Sequence, residues 1–579
     1  MLEDIQVEAP QRASPQLDAR LPLGAALSAS ALLAACGGGG GGSDATAGPP
    51  PAGNGSLAPL ASTATAAGYV YPSAKTDAEA ARFLLQSQAF ATDADLAAVR
   101  SQGYLPWLAA QFDAPAAQTG WSWVNSKPSS GTDSATFDHM IWAQLMASPD
   151  GLRKRLALAL SEIFVVSGTD IGSSWPHHMM AQYWDTLVAG VTGSFRSLLE
   201  AITLNPAMGY YLNTKGNQKE NAQGRQPDEN YAREVMQLMT IGLYQLDAKG
   251  NVKLAADASK LDSYSQDDVT NLARVFTGYD LDTAAADGNG WTTRPMALNP
   301  ARHSTLAASF LGVTVPASTE GKAALKTALD TLANHPNVGP FIGRQLIQRL
   351  VSSNPSPDYV GRVAAVFENN GAGVRGDMKS VFAAVLLDNE ARSPAGLADP
   401  NFGRLREPML RLAQWARTFG ATSTLGSWRV DDTSSPTRLG QSPLRSPSVF
   451  NFFRPGYVPP STAIASQGLV APEFQIVNET SVGAYLNYMQ GVLPIGFNGK
   501  DVMAAYAAEK ALVLDPAALV ARLNLMLCGN QLHEASLKLI VNALGTPALT
   551  AASSDALKLN RVCAAVLLVM ASSEYLVQK

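Results

Sequence analysis

Residues 152–166 read LRKRLALALSEIFVV, a strongly apolar stretch whose spacing predicts a helix. Arg153, Lys154 and Arg155 fall in its first turn. Positive charge there opposes the helix dipole, so anionic partners are expected close by. The same 3.6-residue apolar period recurs beyond residue 75, with few alternating runs. It predicts helices over 180–191, 195–203, 228–241, 266–277 and 338–351, then over 358–369, 378–387, 408–419, 516–527 and 556–571. Thr76 and Glu79 form a capping-box pattern opening a helix toward residue 90, and Thr92 with Asp95 opens another that Gly103 closes. No fixed-period repeat is visible, which disfavours a solenoid. Two segments interrupt the helices: 280–318, rich in Gly, Thr, Asn and Pro, and 425–472, dense in Pro, Ser and aromatic residues. The expected fold class is all-α, a large irregular multi-helix domain with two long loops and at most a small β-hairpin.

The chain has 579 residues, 46% hydrophobic and 16% charged, with a formal charge of −5. Soluble domains average roughly 25% charged residues. The apolar fraction excludes wholesale disorder. The mild acidity disfavours a nucleic-acid partner, whose binding needs a basic face. Three cysteines exclude a disulfide-rich scaffold and a metal centre built from four cysteine ligands. Cys528 and Cys563 lie in apolar helical patterns, where a disulfide and two buried thiols are equally open readings.

Residues 21–35, LPLGAALSASALLAA, form an apolar run of 15 residues preceded by Arg12 and Arg20. The run is short for a membrane span and suits the apolar part of a signal peptide. It ends in Leu33-Ala34-Ala35-Cys36, which resembles a bacterial lipobox; the resemblance implies lipidation of Cys36 and cleavage just before it. Gly37 to Gly42 and a Gly/Ala/Pro/Ser tract follow, the composition of a flexible tether. Gly37 after the cysteine resembles the outer-membrane sorting pattern of Gram-negative lipoproteins. The expected organisation is a lipoprotein signal over 1–35, a tether over 36–75 and a helical domain over 76–579, with any division into two subdomains near 280–320. The expected location is the outer membrane, periplasm or surface of a Gram-negative bacterium, with contact to the membrane through the lipid at Cys36. A cleaved secretory signal with an incidental cysteine is the plainer alternative. No later run reaches the roughly 18 apolar residues that span a bilayer.

The densest polar block is QPDENYARE, residues 226–234. Pro227 and Asp228 carry helix-start chemistry, and Glu229 and Arg233 stand at i,i+4 spacing, where they can pair. Asn230 and Glu234 form the adjacent polar stripe. Two carboxylates and an arginine at a helix start suit acid/base work or a bound cation. They also suit a buried polar network that fixes helix packing, with Glu229–Arg233 as its salt bridge, and spacing alone favours the latter.

This block is similar to the P-N-E-N-Y-A-R-E signature of the bacterial family called domain of unknown function 1800, DUF1800. Other blocks resemble the family in the same order: residues 80–112, 204–208 (LNPAM), 264–279 (YSQDDVTNLARVFTGY), 335–357 and Arg406-Glu407-Pro408. Many members carry F-W-H-n-H-F where this chain has Leu160-Ser161-Glu162-Ile163-Phe164, so a metal centre resting on those histidines is not expected. Ala308 stands where many members have a lysine before Phe310-Leu311-Gly312. The resemblance implies no agreed activity and no known cofactor. Its genes commonly neighbour those of exported sulfatase-like proteins, which implies such a protein as a partner.

His303 and His335 fall at family motif positions; with Glu229, Asn230, Arg233 and Glu234 they complete the candidate catalytic set, and no metal is assigned. Arg438, Arg445 and Arg454 lie among aromatics in the second long loop. They can grip an anionic or sugar-like ligand, or staple the loop to carboxylates of the helical body. Two functions remain open at this point: an envelope hydrolase acting on an exported polymer or surface glycan, and a non-catalytic module binding a partner protein or glycan. Convergence of the two glutamates and two histidines in one cleft separates them.

Overall fold

Helices start where a side chain caps them. Thr76 Oγ1 accepts from the Glu79 amide at 3.2 Å and Thr92 Oγ1 from the Asp95 amide at 3.1 Å, opening helices Asp77–Ser87 and Asp93–Gln102. Gly103, at φ +84°, ends the second, a conformation that costs glycine no Cβ clash. The computed structural model describes residues 69–115, 117–127, 135–169 and 171–579. The signal segment, Cys36 and the tether up to residue 68 lie outside the described residues.

The architecture is helical, with four two-stranded antiparallel pairs among the described residues. Two pairs occupy the 280–318 loop: Tyr279–Asp280 with Ala297–Leu298, and Ala308–Phe310 with Val313–Val315. Another joins Arg404–Leu405 to Val577–Gln578, fastening the C-terminus. Helix Asp77–Ser87 packs against Pro516–Cys528, so the two ends of the helical body also meet. One contiguous buried apolar cluster runs from Ala74 to Tyr575. Cys528 and Cys563 are both buried free thiols within it. No helix among the described residues is long and apolar enough to cross a membrane.

Several helices differ from the periodic reading for identifiable reasons. The 152–166 stretch is helical only over Gly151–Ser161. Beyond it the Phe164 carbonyl accepts from the Tyr183 hydroxyl at 2.6 Å, and Glu162 turns into a buried ionic cluster. The 228–241 stretch is helical over Asn230–Gln237. Asp228 Oδ1 accepts from the Asn230 amide at 2.8 Å, a local turn that precedes the Glu229 cap position and leaves Asp228 outside the helix, and Gly242 at φ +75° follows its far end. Helix Thr136–Ala147 has no amphipathic period because nearly every residue in it is buried.

The ionic cluster joins segments far apart in sequence. Arg155 on helix Gly151–Ser161 and Arg404 both donate to the Arg349 carbonyl, at 2.5 and 2.6 Å. Arg349 itself pairs with Glu162 at 3.2 Å and donates to the Glu162 carbonyl at 2.8 Å. Arg404 bridges Glu407 at 2.6 Å and Glu473 at 2.8 Å, and Gln441 donates to the other Glu407 oxygen at 2.7 Å. All six ionisable side chains are buried. Gly403, beside Arg404, sits at φ +117° with the Gln578 carbonyl 2.5 Å from where a Cβ would stand, so only glycine lets the two strands close here.

Burial and the neighbouring Glu407 carboxylate push the Glu162 carboxyl well above its ordinary value. Burial opposes ionisation of Glu407 too, but Arg404 and Arg155 outweigh it and hold that carboxyl low. Of these two adjacent buried carboxyls, Glu407 is thus the one the arginines hold ionised, and its charge opposes ionisation of Glu162. Removing one partner of such a cluster strands the others without water. Arg404→Met is expected to cost about 3–5 kcal/mol, read as a lowered urea midpoint. Glu162 has the opposite sign. Its raised folded-state pKa means that stability falls as pH rises above the ordinary carboxylate value of 4.5. Glu162→Gln is expected to remove this decline, leaving stability flatter as pH rises above 4.5, measured by urea midpoints across the pH range.

Candidate functional site

The 226–234 block is built around Glu229. Its Oε1 accepts from Thr270 Oγ1 at 2.7 Å, and its Oε2 from Gln266 Nε2 at 2.8 Å and Arg233 Nη2 at 3.2 Å. Arg233 also donates to Gln266 Oε1 at 3.0 Å. Partial burial favours the neutral carboxyl, but the Thr270 and Gln266 hydrogen bonds and the Arg233 charge outweigh it and lower the pKa. The result is an ionised, fully engaged carboxylate that ties Asn230–Gln237 to helix Gln266–Val275, a poor proton acceptor near neutral pH. Asn230 is half-buried, its amide bonded to Asp228. Glu234 is buried, and burial raises its carboxyl despite the nearby Arg233. Its Oε2 has no hydrogen-bond partner among the described residues.

His303 belongs to a different place. It follows the short turn Pro300–Arg302, and its Nδ1 lies 2.8 Å from the Thr277 carbonyl. A carbonyl only accepts, so Nδ1 carries the proton and Nε2 is left as an acceptor. The neighbouring Ser304 donates to Glu220 at 2.9 Å, and its amide donates to Thr277 Oγ1 at 2.8 Å. Gly278, at φ +88°, lets this strand come close: a Cβ there would lie 3.0 Å from the His303 amide. Beside His303 the surface dips into a cleft with Arg274, Ser304 and Thr319 that holds about one water. Thr270, within helix Gln266–Val275, binds Glu229, and Thr277, beyond the end of that helix, binds His303.

His335 marks another station, at the corner between helices Gly321–Asn334 and Val338–Leu350. Its Nδ1 accepts from the Asn337 amide at 3.2 Å, and its carbonyl accepts from Arg375 at 3.1 Å. Burial and the charges of Arg375 and Lys253 lower its pKa, favouring the neutral ring. Asn337, which sequence reading passed over, is the working residue of this corner. Its side chain donates to the Ile241 and Tyr244 carbonyls, each at 2.8 Å, and accepts from the Leu246 amide at 3.0 Å. It straps down the segment that leaves helix Asn230–Gln237.

The loop arginines divide in the same way. Arg445 makes a bidentate pair with buried Asp138, at 2.7 and 2.6 Å, and lies over the Phe137 ring. It staples the second long loop to helix Thr136–Ala147. Arg438 is exposed and donates to the Asp432 carbonyl at 2.6 Å. Arg454 is exposed and stacks over Phe450. His178, between Trp121 and Trp175, is fully buried, and burial pushes its pKa down to about 4. Among the described residues, no group of three or more His, Cys, Asp or Glu side chains is arranged to hold a metal.

The family signature described as "Protein of unknown function (DUF1800)" matches residues 83–577. The chain belongs to DUF1800. No curated protein and no solved structure matches it significantly. Two of the DUF1800-like blocks, 335–357 and 406–408, meet the departure site 160–164 in the buried cluster through Arg349, Glu407 and Glu162. The signal for that cluster was present as Arg155, whose position against the helix dipole demanded an anion. What periodicity lacked was the identity of the partners, which come from remote segments.

Replacing Asn337 by Ala removes three hydrogen bonds and leaves their backbone partners unpaired. The expected cost is about 2–4 kcal/mol, with faster amide hydrogen exchange confined first to residues 241–246. Asn230→Ala, at a half-exposed site, is expected to change stability by less than about 0.5 kcal/mol.

Proposed function

We propose that this DUF1800 protein is a non-catalytic module of the bacterial envelope, exported and tethered through lipid at Cys36, that docks an exported partner protein. The observation that carries the reading is that the acid/base candidates share no cleft lining and most are engaged in structural contacts. The cleft beside His303 is lined by none of Glu229, Glu234 and His335, and Glu229, His303 and His335 are each engaged in contacts that fasten neighbouring segments. A hydrolase needs its proton donor and acceptor within reach of one substrate bond. Apolar side chains left exposed on the C-terminal helices, among them Leu539, Leu557 and Leu568, accord with a surface that a partner covers. The lipobox-like sequence supports the tether, and the family resemblance supports an exported sulfatase-like protein as the partner.

One observation favours a second reading. Glu234 is buried with an unpartnered oxygen and a raised pKa, a perturbed buried carboxyl of the kind that marks a functional-site candidate. On that reading the protein is a hydrolase of an exported polymer or surface glycan with Glu234 as its acid.

A single experiment separates the two. The full chain is expressed with its exported sulfatase-like neighbour and recovered from detergent-solubilised membranes, as wild type and as Glu234→Gln/His303→Ala. The module reading expects both forms to hold the neighbour equally and neither to cleave envelope polysaccharide. Polysaccharide cleavage by the wild type that falls a hundredfold or more in the double variant would establish the hydrolase instead. For the tether, Cys36→Ser is expected to move the protein from the membrane fraction to the soluble one; unchanged detergent partitioning refutes lipidation.

A further inference from the structure

We infer that Asn498 is the residue of the helical body at which the folded protein deamidates spontaneously, through a succinimide closed by the Gly499 amide. Asparagines followed by glycine are the most prone to this reaction, because no side chain hinders the attacking amide. Asn-Gly occurs four times in the chain, at 54–55, 289–290, 370–371 and 498–499; the first lies outside the described residues. The reaction needs a free carboxamide and a free backbone N–H side by side. Asn289 donates to Asn125 Oδ1 at 3.0 Å, and the Gly290 amide donates to the Asp287 carbonyl at 3.1 Å. Asn370 is buried, its Oδ1 accepting from the Ala372 and Val374 amides at 3.0 and 3.2 Å and its Nδ2 donating to Asp377 at 2.8 Å. The Gly371 amide donates to Asn369 Oδ1 at 2.9 Å. Both pairs are thus tied at nucleophile and electrophile alike. Asn498 differs: it is exposed, and neither its carboxamide nor the Gly499 amide has a hydrogen-bond partner among the described residues.

The turn around it is open and strained. Asn498, Gly499 and Lys500 stand at φ +48°, +61° and +76°, left-handed positions that suit glycine and burden a long side chain such as lysine. No atom lies within 4 Å of where a Gly499 Cβ would stand, so no packed neighbour opposes the change in backbone angle that ring closure requires. Solvent hydroxide takes the Gly499 amide proton, the nitrogen bonds to Asn498 Cγ, and the side-chain nitrogen leaves as ammonia with a proton from water. Water then opens the ring at either carbonyl, giving aspartate or isoaspartate and one new carboxylate. The product adjoins a fastener. Asp501, whose amide donates to the Asn498 carbonyl at 3.2 Å, accepts from Ser423, Thr424 and Ser427 hydroxyls at 2.8, 3.2 and 2.5 Å and from the Leu425 amide at 2.6 Å. It so fixes the start of the second long loop. In isoaspartate the main chain runs through Cβ and Cγ, so the carbonyl that Asp501 bonds leaves the chain, and the hold on 423–428 loosens.

The test ages the full chain, wild type and Asn498→Gln, at mildly alkaline pH, both folded and in urea. Each Asn-Gly peptide is followed by mass spectrometry for a gain of about one mass unit. Folded wild type is expected to deamidate at 498 at least tenfold faster than at 289 and 370, and urea is expected to bring the three rates within about threefold of one another by freeing the other two pairs. Asn498→Gln, whose longer side chain closes a ring poorly, is expected to abolish the change at 498. Aged wild type is expected to exchange amide hydrogens faster over 423–428 than the aged variant. The inference is overturned by folded rates at 498 no greater than at 289 or 370, by the same preference for 498 in urea, which would place it in the local sequence and not in the fold, or by exchange over 423–428 that ageing leaves unchanged.

Discussion

The Arg349 carbonyl accepts hydrogen bonds from two arginines that reach it from opposite directions in the sequence, Arg155 and Arg404. That convergence is the constraint around which the molecule is arranged. Charged groups removed from water are tolerated only when their partners are positioned to within hydrogen-bonding distance. Helix Gly151–Ser161, helix Val338–Leu350, the strand carrying Arg404 and the turn carrying Glu473 consequently share one geometry. The antiparallel pairing of Arg404–Leu405 with Val577–Gln578 brings the C-terminus into the same arrangement. Apolar packing supplies a broad driving force; the ionic cluster selects which helix faces which.

The same logic recurs at smaller scale. Glu229 joins two helices, Asn337 straps a connecting segment to a corner, and Arg445 with Asp138 fastens a long loop. Each uses a charged or amide side chain where apolar contact alone would allow sliding. Motif blocks of DUF1800 supply several of these fasteners, including Glu229, Arg349 and Glu407. A polar signature therefore has a structural explanation before any chemical one.

Legibility followed the range of the interactions. Helices Phe195–Thr203 and Met378–Leu387 have the limits their periodicity predicts, because caps and apolar faces are local. Helix Thr136–Ala147 escaped notice because burial on all sides erases the period. The 152–166 stretch is apolar to its end, yet its helix stops at Ser161, where Glu162 is drawn to Arg349 and the Phe164 carbonyl to Tyr183. Of the candidate site, the Glu229–Arg233 pair was readable from its i,i+4 spacing. The placement of His303 and His335 was not, since both depend on which loop returns to which helix end.

The amino-acid sequence alone determined the fold class, the family, the helix starts with their capping residues, and the presence of cations that needed anionic partners. These follow from interactions spanning a few residues, whose free energies depend little on the rest of the chain. Tertiary structure alone decided which carboxyl answers which arginine, that burial pushes the Glu162 carboxyl up while arginines hold Glu407 low, and which segments His303 and His335 fasten. Those outcomes depend on burial and on distances between remote segments. A charge has a defined energy only once its surroundings are known.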